Sequence, residues 1–577
     1  MRKLNKRILL LSSFLMITAT FKSFSQGFLK TDGQRIVNEK GENVLLRGMG
    51  LGGWMLQEGY MFHLSNLGRQ YRIKEEISKL VGEQKANEFY DSWLKNHTTK
   101  TDIDSLATWG FNSVRLPMHY SLYTPAVEEE PILGENTWIQ KGFDMTDSLL
   151  AWCKANKMYL ILDLHAPPGG QGNDLNISDR NPDKPSLWES EANQQKTVAL
   201  WRKLAEKYKD EPWIAGYDII NEPNWGFESK EDFRGIAEKT NAPLRKLMVE
   251  ITKAIREVDQ KHIIIIEGNG FGNNYSGIFP KWDDNMVLSF HKYGNFNNIE
   301  SIQQFLNYRK EHNMPIWLGE SGENSNTWFK EAISLAESNN IGWAWWQLKK
   351  MGINNPLEIK APAGYQKLLA YWNGKGEKPS ADEAWETLQA FVANTKIGNT
   401  VYHQDVIDAM FRQVNDDSAK PFKANLVKNG TTINAVDYDL GTQRVAYFDK
   451  DTASYQYTPG VNTQGNIGRT YRNDGVDIKT DATNHEPYVF NFEDGEWLQY
   501  TIHVAKAGTY TIEAKLNSAS SATIAIEMNN EIATIPIKAG LKEQWISLGK
   551  FQLKKGQQSI KVFAETGGFD FYQLKFD

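Results

Sequence analysis

The chain of 577 residues contains a single cysteine, Cys153. A lone thiol cannot form an internal disulfide, so the fold must be stabilised by packing. Cys153 follows the apolar segment 149–152, and this pattern predicts the buried face of a helix rather than a catalytic thiol.

Long apolar runs are missing after the first residues of the chain. The apolar segment 8–21 is shorter than the roughly 20 residues that span a bilayer, which disfavours the alternative of a membrane anchor. A basic segment precedes it, and the small residues Ser23 and Ser25 follow it. This order predicts a signal peptide over 1–25, and we expect a secreted protein, periplasmic or extracellular, without a membrane span.

Runs of basic residues and metal-binding spacings are also missing. The net charge is −6, and beyond the first residues no Lys/Arg-rich run occurs, so no nucleic-acid partner is expected. The histidines are scattered, without His-x-His or His-Glu-x-x-His spacing. The sequence therefore predicts no catalytic metal and no other cofactor.

Short apolar segments and amphipathic segments alternate over the first two thirds of the chain. The apolar segments do not alternate with polar residues, as expected for parallel strands that are buried on both faces. They are 44–46, 113–116, 159–164, 214–220, 262–267, 286–290, 316–319 and 342–346. Eight such strands with helices between them predict a (β/α)₈ TIM barrel over 26–424. An open doubly wound sheet is the alternative, disfavoured because no glycine-rich phosphate turn follows the first strand.

The pattern changes after Pro421. Segments 497–504, 509–516, 523–528 and 558–563 alternate with period two and are separated by turns. This is typical of an antiparallel sandwich, so we predict an all-β, jelly-roll-like domain over 425–577.

Polar residues recur where the predicted barrel strands end, and that end of a barrel carries the chemistry. Glu222 follows the fourth strand and Glu320 the seventh. Glycoside hydrolysis needs two carboxyl groups that flank one bond. A single glutamate is usually a surface or capping residue, but a carboxyl group at a buried strand end costs energy unless it is used.

The motifs around these residues resemble glycoside hydrolase family 5, the cellulase-type barrel enzymes. They are Phe111 to Pro117, Asp163-Leu164-His165, Asn221-Glu222-Pro223, His291-Lys292-Tyr293 and Leu318-Gly319-Glu320. The resemblance implies a retaining double displacement, with Glu320 as nucleophile and Glu222 as acid/base. It further implies roles for other residues: Asn221 binds the sugar 2-hydroxyl, Arg115 and Tyr293 orient Glu320, His165 and His291 hold the sugar and the acid/base, and Trp346 forms a stacking floor.

A finer resemblance points to the exo-β-1,3-glucanases of that family. It rests on segments 47–58 and 163–171 and implies that Glu58 grips a terminal sugar. A purely structural glycine-rich turn is the other interpretation of the first segment. We therefore expect an enzyme that cleaves β-glucosidic bonds of a β-glucan polysaccharide or oligosaccharide, best described as an exo-type β-1,3-glucanase. An endo-β-1,4-glucanase or another β-glycanase of the family is the alternative.

Two interpretations from other classes compete with this one. A glycan-binding protein on an inactive barrel is disfavoured by the presence of both Glu222 and Glu320. An aldolase or metalloenzyme barrel would need a strand-end lysine or a ligand cluster, and neither is evident.

The C-terminal part resembles carbohydrate-binding modules of family 6, through segments 471–478, 495–501 and 567–571. It departs from them where they have a calcium pair, at 434–436, and where they have stacking aromatics, at Asn491 and Lys542. Asp570 replaces their terminal asparagine. Three roles stay open: weak sugar binding, binding through another face, or packing on the barrel alone.

Overall fold

The computed structural model describes residues 27–132, 134–454, 456–457 and 466–577. The predicted signal peptide, 1–25, lies outside the described residues. Within the described ranges, no helix is long and apolar enough to cross a membrane.

Eight parallel strands form a closed barrel, because the last strand pairs with the first and places Trp343 opposite Arg47. We label them β1 Arg47–Gly50, β2 Ser113–His119, β3 Tyr159–Ala166, β4 Ile214–Asp218, β5 Ile263–Ile266, β6 Met286–Lys292, β7 Ile316–Gly322 and β8 Gly342–Trp346. The predicted TIM barrel is confirmed.

The first strand differs from the prediction. It lies at Arg47–Gly50 rather than at 44–46, and the pattern missed it because glycine has a low strand propensity. Packing explains the glycines: a Cβ on Gly48 would lie 3.2 Å from the Cβ of Ala344, and one on Gly50 would lie 2.7 Å from Cε3 of Trp346. Strand β7 also extends beyond its predicted end, so Glu320 lies inside the strand.

The chain between the barrel strands forms helices, and many of them begin at a polar cap. Ser190, Asn298 and Ser325 each accept a hydrogen bond from the backbone N–H three residues ahead. The helices are Gln70–Val81, Glu83–Asn96, Lys100–Trp109, Gln140–Ala155, Glu191–Tyr208, Ala242–Arg256, Asn269–Gly272, Ile299–Glu311, Asn326–Ser338, Tyr365–Trp372, Ala381–Asn394 and Gln404–Phe411. Short 3₁₀ turns occur at Gly59–Phe62, Tyr120–Leu122, Val127–Glu129, Ile397–Asn399 and Ala435–Asp437. Cys153 is buried within its helix, as predicted.

The barrel interior is a separate small core. Inward-facing side chains such as Ile161 and Trp317 pack with Leu29 and Ile36 of an N-terminal hairpin. This hairpin pairs Lys30–Asp32 with Arg35–Val37. It covers one end of the barrel, so a site must form at the opposite end, where the strands reach their carboxyl termini.

The segment after β8 supports one wall of that opposite end. Helices Tyr365–Trp372 and Ala381–Asn394 share a core with Gln70–Val81 and Glu83–Asn96, and this core also contains Trp346. Short strands Lys349–Lys350, Leu357–Glu358 and Val401–Tyr402 form a three-stranded sheet beside it.

The described residues of the C-terminal part form an all-β unit, as predicted, with two six-stranded sheets. One sheet contains Asn425–Val427, Tyr447–Phe448, Trp497–Val504, Ala522–Met528, Glu531–Ile537 and Gly556–Thr566. The other contains Thr431–Asn434, Ile478–Thr480, Pro487–Phe492, Gly508–Ser518, Leu541–Leu553 and Phe569–Phe576. At the positions that depart from the family 6 pattern, Asn434 accepts from Gln573 at 3.0 Å, the Asn491 N–H donates to Asp570 at 3.0 Å, and Lys542 is exposed.

Buried polar contacts join the sandwich to the barrel. The N–H of Asn473 donates to Asp405 at 2.8 Å, and its side chain donates to the carbonyl of Asn324 at 2.8 Å. The side-chain amide of Asn326 donates to Asp405 at 2.7 Å and to Asp474 at 3.0 Å. Because a buried donor without a partner is costly, these contacts fix the sandwich against the loop that follows β7.

Candidate active site

A cavity of about 420 Å³ lies at the carboxyl end of the barrel. Its walls include predicted site residues from several strand ends: Glu58, His165, Glu222, His291, Tyr293, Glu320 and Trp346. Tyr60, Asn295 and Glu323 also line it, and the sequence analysis did not single them out. The closed barrel thus brings together residues that are far apart in the chain.

The two predicted catalytic carboxylates face each other across His291. Nδ1 of His291 lies 2.6 Å from Oε1 of Glu222 and 3.0 Å from Oε2 of Glu320. One oxygen of each carboxylate lies within 4.8 Å of the other. Retaining glycosidases have carboxyl groups about 5–5.5 Å apart, whereas inverting enzymes have about 6.5–9.5 Å. The spacing therefore suits direct attack by one carboxylate.

The surroundings shift the pKa values of the two carboxyl groups in opposite directions. Burial raises the pKa of Glu222, and the charges of Glu320 and Glu267 add to the increase against the opposing effect of His291. Burial also disfavours the charged form of Glu320, but His291 and Arg115 outweigh it and lower the pKa of Glu320. A raised and a lowered pKa at paired carboxyl groups distinguish an acid from an ionised partner.

Arg115 is fully buried beneath these residues and joins several strand ends. Its Nη2 donates to Asn221 at 2.8 Å and to Glu267 at 3.0 Å. It also faces the carboxylates of Asp218 at 2.9 Å, Asp163 at 3.3 Å and Glu320 at 3.9 Å. The predicted orientation of Glu320 by Arg115 is thus a charge contact rather than a short hydrogen bond.

Glu267 is a buried site residue that the sequence analysis missed. Its Oε2 accepts the backbone N–H of Glu222 at 2.7 Å, and Oε1 lies 3.2 Å from Nε2 of His291. Burial opposes its charge, but His291 and Arg115 lower the pKa of Glu267 to about 2. The signal was present, because Glu267 directly follows the apolar strand β5.

The contact with Glu267 also supports an unusual backbone conformation. Glu222 has a φ of +39°, which is uncommon for a residue other than glycine. Such strain persists only where surrounding contacts determine it, and it is concentrated at functional sites. The Glu267 carboxylate is one such contact and helps to set the direction of the Glu222 side chain.

His165 and Asn221 form a second buried chain of contacts. Nδ1 of His165 lies 2.8 Å from Asp163, and Nε2 lies 3.2 Å from the side-chain amide of Asn221. Asn221 is fully buried and also accepts from Arg115. His165 therefore contacts Asn221 rather than Glu222, and of the two histidines only His291 reaches the predicted acid/base.

Trp346 forms a wall of the cavity. Its ring stacks on His165 with centroids 5.2 Å apart, and its Nε1 donates to the hydroxyl of Tyr60 at 2.9 Å. A Cβ on Gly52 would lie 2.6 Å from Cζ2 of Trp346, and Gly50 approaches the same ring. The glycines of the first barrel segment therefore provide space for the indole.

Glu58 lies in the cavity beside this wall, with Oε1 3.9 Å from Nε2 of His165. Burial and the charges of Glu320 and Glu222 raise its pKa well above the usual value. Glu323, which also lines the cavity, lies 2.5 Å from the ammonium group of Lys350. Carboxyl groups other than those of Glu222 and Glu320 thus line this part of the cavity.

Tyr293 lines the same cavity and keeps about 36% of its surface exposed. Among the contacts of the described residues, its hydroxyl makes no hydrogen bond to Glu320. No hydrogen bond between Tyr293 and Glu320 therefore supports the predicted orienting role, which stays a prediction.

Glu222, His291 and Glu320 are also the one group of the described residues close enough to hold a metal ion. Two ligands about 2.0–2.1 Å from a tetrahedral zinc ion would lie about 3.3 Å apart. The 2.6 Å separation of His291 and Glu222 is shorter and matches a hydrogen bond. The arrangement thus favours a shared proton over a shared metal.

Comparison with known proteins matches two regions of the chain to families. Residues 75–352 match the model of the cellulase family (glycosyl hydrolase family 5), and residues 469–577 match that of carbohydrate binding module family 6. Both resemblances expected from the sequence are thereby confirmed.

Three relatives illustrate the range of activities among similar chains. A Beta-xylosidase of Phanerodontia chrysosporium is 25% identical over 437 residues, which cover 70% of this chain and 86% of the relative. Endoglucanase C of Acetivibrio thermocellus is 25% identical, covering 49% of this chain and 91% of the relative. A Probable glucan 1,3-beta-glucosidase A of Aspergillus fumigatus is 24% identical, covering 44% and 57%.

Replacing Gly52 tests the wall formed by Trp346. Gly52→Ala should displace the indole, because the added Cβ would lie 2.6 Å from it. We expect kcat/KM on an aryl glycoside to fall at least about tenfold, a loss of about 1.4 kcal/mol. Gly398→Ala is the control, since nothing lies within 4 Å of its added Cβ. Equal activity of both variants would contradict the proposed fit.

Proposed function

We propose that this protein, an O-glycosyl hydrolase whose residues 75–352 form a glycosyl hydrolase family 5 domain, cleaves β-glucosidic bonds of a β-glucan with retention of configuration. One observation carries the proposal: oxygens of Glu222 and Glu320 lie within 4.8 Å of each other and both approach Nδ1 of His291. That separation supports the proposal because it suits the shorter carboxyl spacing of retaining enzymes, about 5–5.5 Å.

The reaction proceeds in two displacements. Glu222 donates a proton to the leaving glycosidic oxygen while Glu320 attacks the anomeric carbon, so one C–O bond breaks and a glycosyl ester forms. Glu222, now ionised, then removes a proton from water, which attacks the same carbon and releases Glu320. No cofactor takes part in this scheme.

Neighbouring charges suit these roles. Arg115 and His291 favour the ionised form of Glu320, which a nucleophile needs. Burial and the nearby carboxylates hold a proton on Glu222, which a general acid needs. The buried Glu267 accepts the N–H of Glu222 and faces His291, so it positions both groups.

For the mode of action, we propose exo-type cleavage of a β-1,3-glucan. Support comes from Glu58, Tyr60 and Glu323, which bring polar groups into the cavity beside Trp346 and suit the hydroxyls of a terminal sugar. One relative is a probable glucan 1,3-beta-glucosidase. An endo-acting β-1,4-glucanase is the second candidate, because another relative is an endoglucanase.

The sandwich is proposed to contact the polysaccharide as a carbohydrate-binding module. Support comes from its attachment to the barrel through Asn473, whose side chain donates to the carbonyl of Asn324, the residue that follows Glu323. A bound chain would then be held at a constant position relative to the catalytic cavity.

Secretion is a further proposal. It is supported by the order of basic, apolar and small residues over 1–25. Protein recovered from the medium or periplasm should begin at Gln26, and intact-mass measurement will check this. An unprocessed chain that stays in the cytoplasm would contradict it.

Substitution of the two carboxylates tests their roles. Glu320→Gln should lower kcat/KM about 10⁴-fold or more on every substrate, because the nucleophile is removed. Glu222→Gln should lower it about 10²–10⁴-fold on natural glucans but spare the first step with an activated aryl glycoside, which needs little protonation. A pre-steady-state burst of the aryl leaving group measures that step, and equal loss in both variants would contradict the assignment.

The assignment of Glu320 as nucleophile and Glu222 as acid also predicts how activity depends on pH, and this extends the same test. Activity should fall as the pH drops through the lowered pKa of Glu320 and as it rises through the raised pKa of Glu222. Since Glu222→Gln removes the acid, its burst rate should lose the alkaline limb and keep the acidic one. A retained alkaline limb would assign it to another group.

Product analysis tests linkage and mode. On β-1,3-, β-1,4-, β-1,6- and mixed-linkage glucans and mannan, we expect β-1,3-glucan to be cleaved fastest, with single glucose units as early products. Glu58→Ala should lower kcat/KM about tenfold, since the loss of hydrogen bonds to the sugar worth about 1.4 kcal/mol corresponds to that factor. Glu311→Ala, at an exposed position, is the control.

Random oligosaccharide products would favour endo action instead. Unchanged kcat/KM with a lower melting temperature in Glu58→Ala would assign Glu58 a structural role.

A further inference from the structure

A second cavity, of about 730 Å³, lies beside the catalytic one at the mouth of the barrel. The segment 177–179 separates them: Ile177 lines the catalytic cavity, whereas Ser178 and Asp179 line the second. The two cavities share no lining residue. The second cavity is therefore a separate compartment on the same face of the barrel.

Asp179 fixes the walls of this cavity. Its Oδ1 accepts the N–H of Tyr71 at 2.9 Å, and its Oδ2 lies 3.2 Å from Nε2 of His119. These contacts join the loop that follows β3 to a helix after β1 and to the end of β2. Asp179 does so with a φ of +50°, a conformation that surrounding contacts must maintain. The walls of the cavity are thus held in place by specific hydrogen bonds.

Ser178 closes the wall between the two cavities. It is only 3% exposed, and its Oγ has almost no accessible surface and no hydrogen-bond partner among the described residues. The hydroxyl is therefore part of the wall, and recognition of a ligand must come from the other groups that line the cavity.

The remaining walls define the ligand more closely. Tyr71 and Tyr120 are half-buried and present aromatic surface to the cavity. Carboxylates outnumber cations, and Lys184 is already paired with Glu128 at 2.5 Å. Anionic ligands are thus disfavoured, whereas a neutral sugar can stack on tyrosine and donate its hydroxyls to carboxylates.

We propose that this second cavity is an accessory glycan-binding site, which holds a part of the polysaccharide that is not being cleaved. That the bound glycan is a β-glucan rests on the proposed function. Binding there keeps the chain next to the catalytic cavity and raises its effective concentration. The site therefore affects polymeric substrates and leaves short ones unaffected.

Binding of soluble glucans by the full chain tests the site. The parent protein carries Glu320→Gln so that polymers stay intact, and affinity gel electrophoresis with laminarin or barley β-glucan measures retardation. Tyr120→Ala removes one aromatic surface of the cavity, and Ala126→Trp fills the cavity from its wall. Each should weaken binding of the retarding glucan about fivefold, the factor that corresponds to about 1 kcal/mol. Tyr371→Ala, at another half-buried tyrosine that lines neither cavity, should leave binding unchanged.

Kinetics of the same substitutions in the active enzyme complete the test. KM for the polymer should rise about threefold or more, while kcat/KM for an aryl β-glucoside stays within about twofold of the original value. The site is refuted if no glucan retards the parent, if neither substitution weakens retardation, or if aryl glucoside activity falls equally. Failure to hydrolyse any glycan would refute the proposed function alone. In that case, retardation that Ala126→Trp relieves would still support glycan binding in the second cavity.

Discussion

The buried charge network around Arg115 is the constraint on which the active end of the barrel depends. Its fully buried guanidinium group meets carboxylates from β3, β4, the end of β5 and β7. Removing one partner of a buried charge leaves the others unpaired, at a cost of about 3–5 kcal/mol. Every strand end that contributes to this network is therefore held at a fixed distance from its neighbours.

His291 extends the network to the reacting groups. It approaches Glu222, Glu267 and Glu320, and their charges raise its pKa well above its usual value even though burial opposes this. A positively charged His291 beside Glu320 and Arg115 balances the negative charges of Glu320 and Glu267. The opposite pKa shifts of Glu222 and Glu320 thus come from Arg115, which lies 3.9 Å from Glu320, and from the charges of Glu320 and Glu267 near the buried Glu222.

The loops around the two cavities are attached to the same set of barrel strand ends. Gly50 and Gly52 allow Trp346 to lie against the barrel wall, where it stacks on His165. Asp179, in the segment that separates the two cavities, joins the loop after β3 to the helix Gln70–Val81 and to the end of β2. The sandwich adds to this framework through Asn473 and the loop after β7. Chemistry and glycan contacts are therefore arranged around one fixed set of strand ends.

The sequence by itself determined the barrel, the sandwich and the position of Glu222 and Glu320 near strand ends, because strand period and strand-end position are local properties of the chain. Their catalytic roles came from the family resemblance and stay a prediction. The sequence pattern placed the first strand wrongly, since Arg47–Gly50 is extended only through its packing on β2 and β8. Glu267 and Asp179 were missed because a carboxylate acquires its role from neighbours that are distant in sequence. Only the tertiary structure decided which carboxyl group keeps its proton, since burial and the distances to Arg115 and His291 exist only after the barrel has closed.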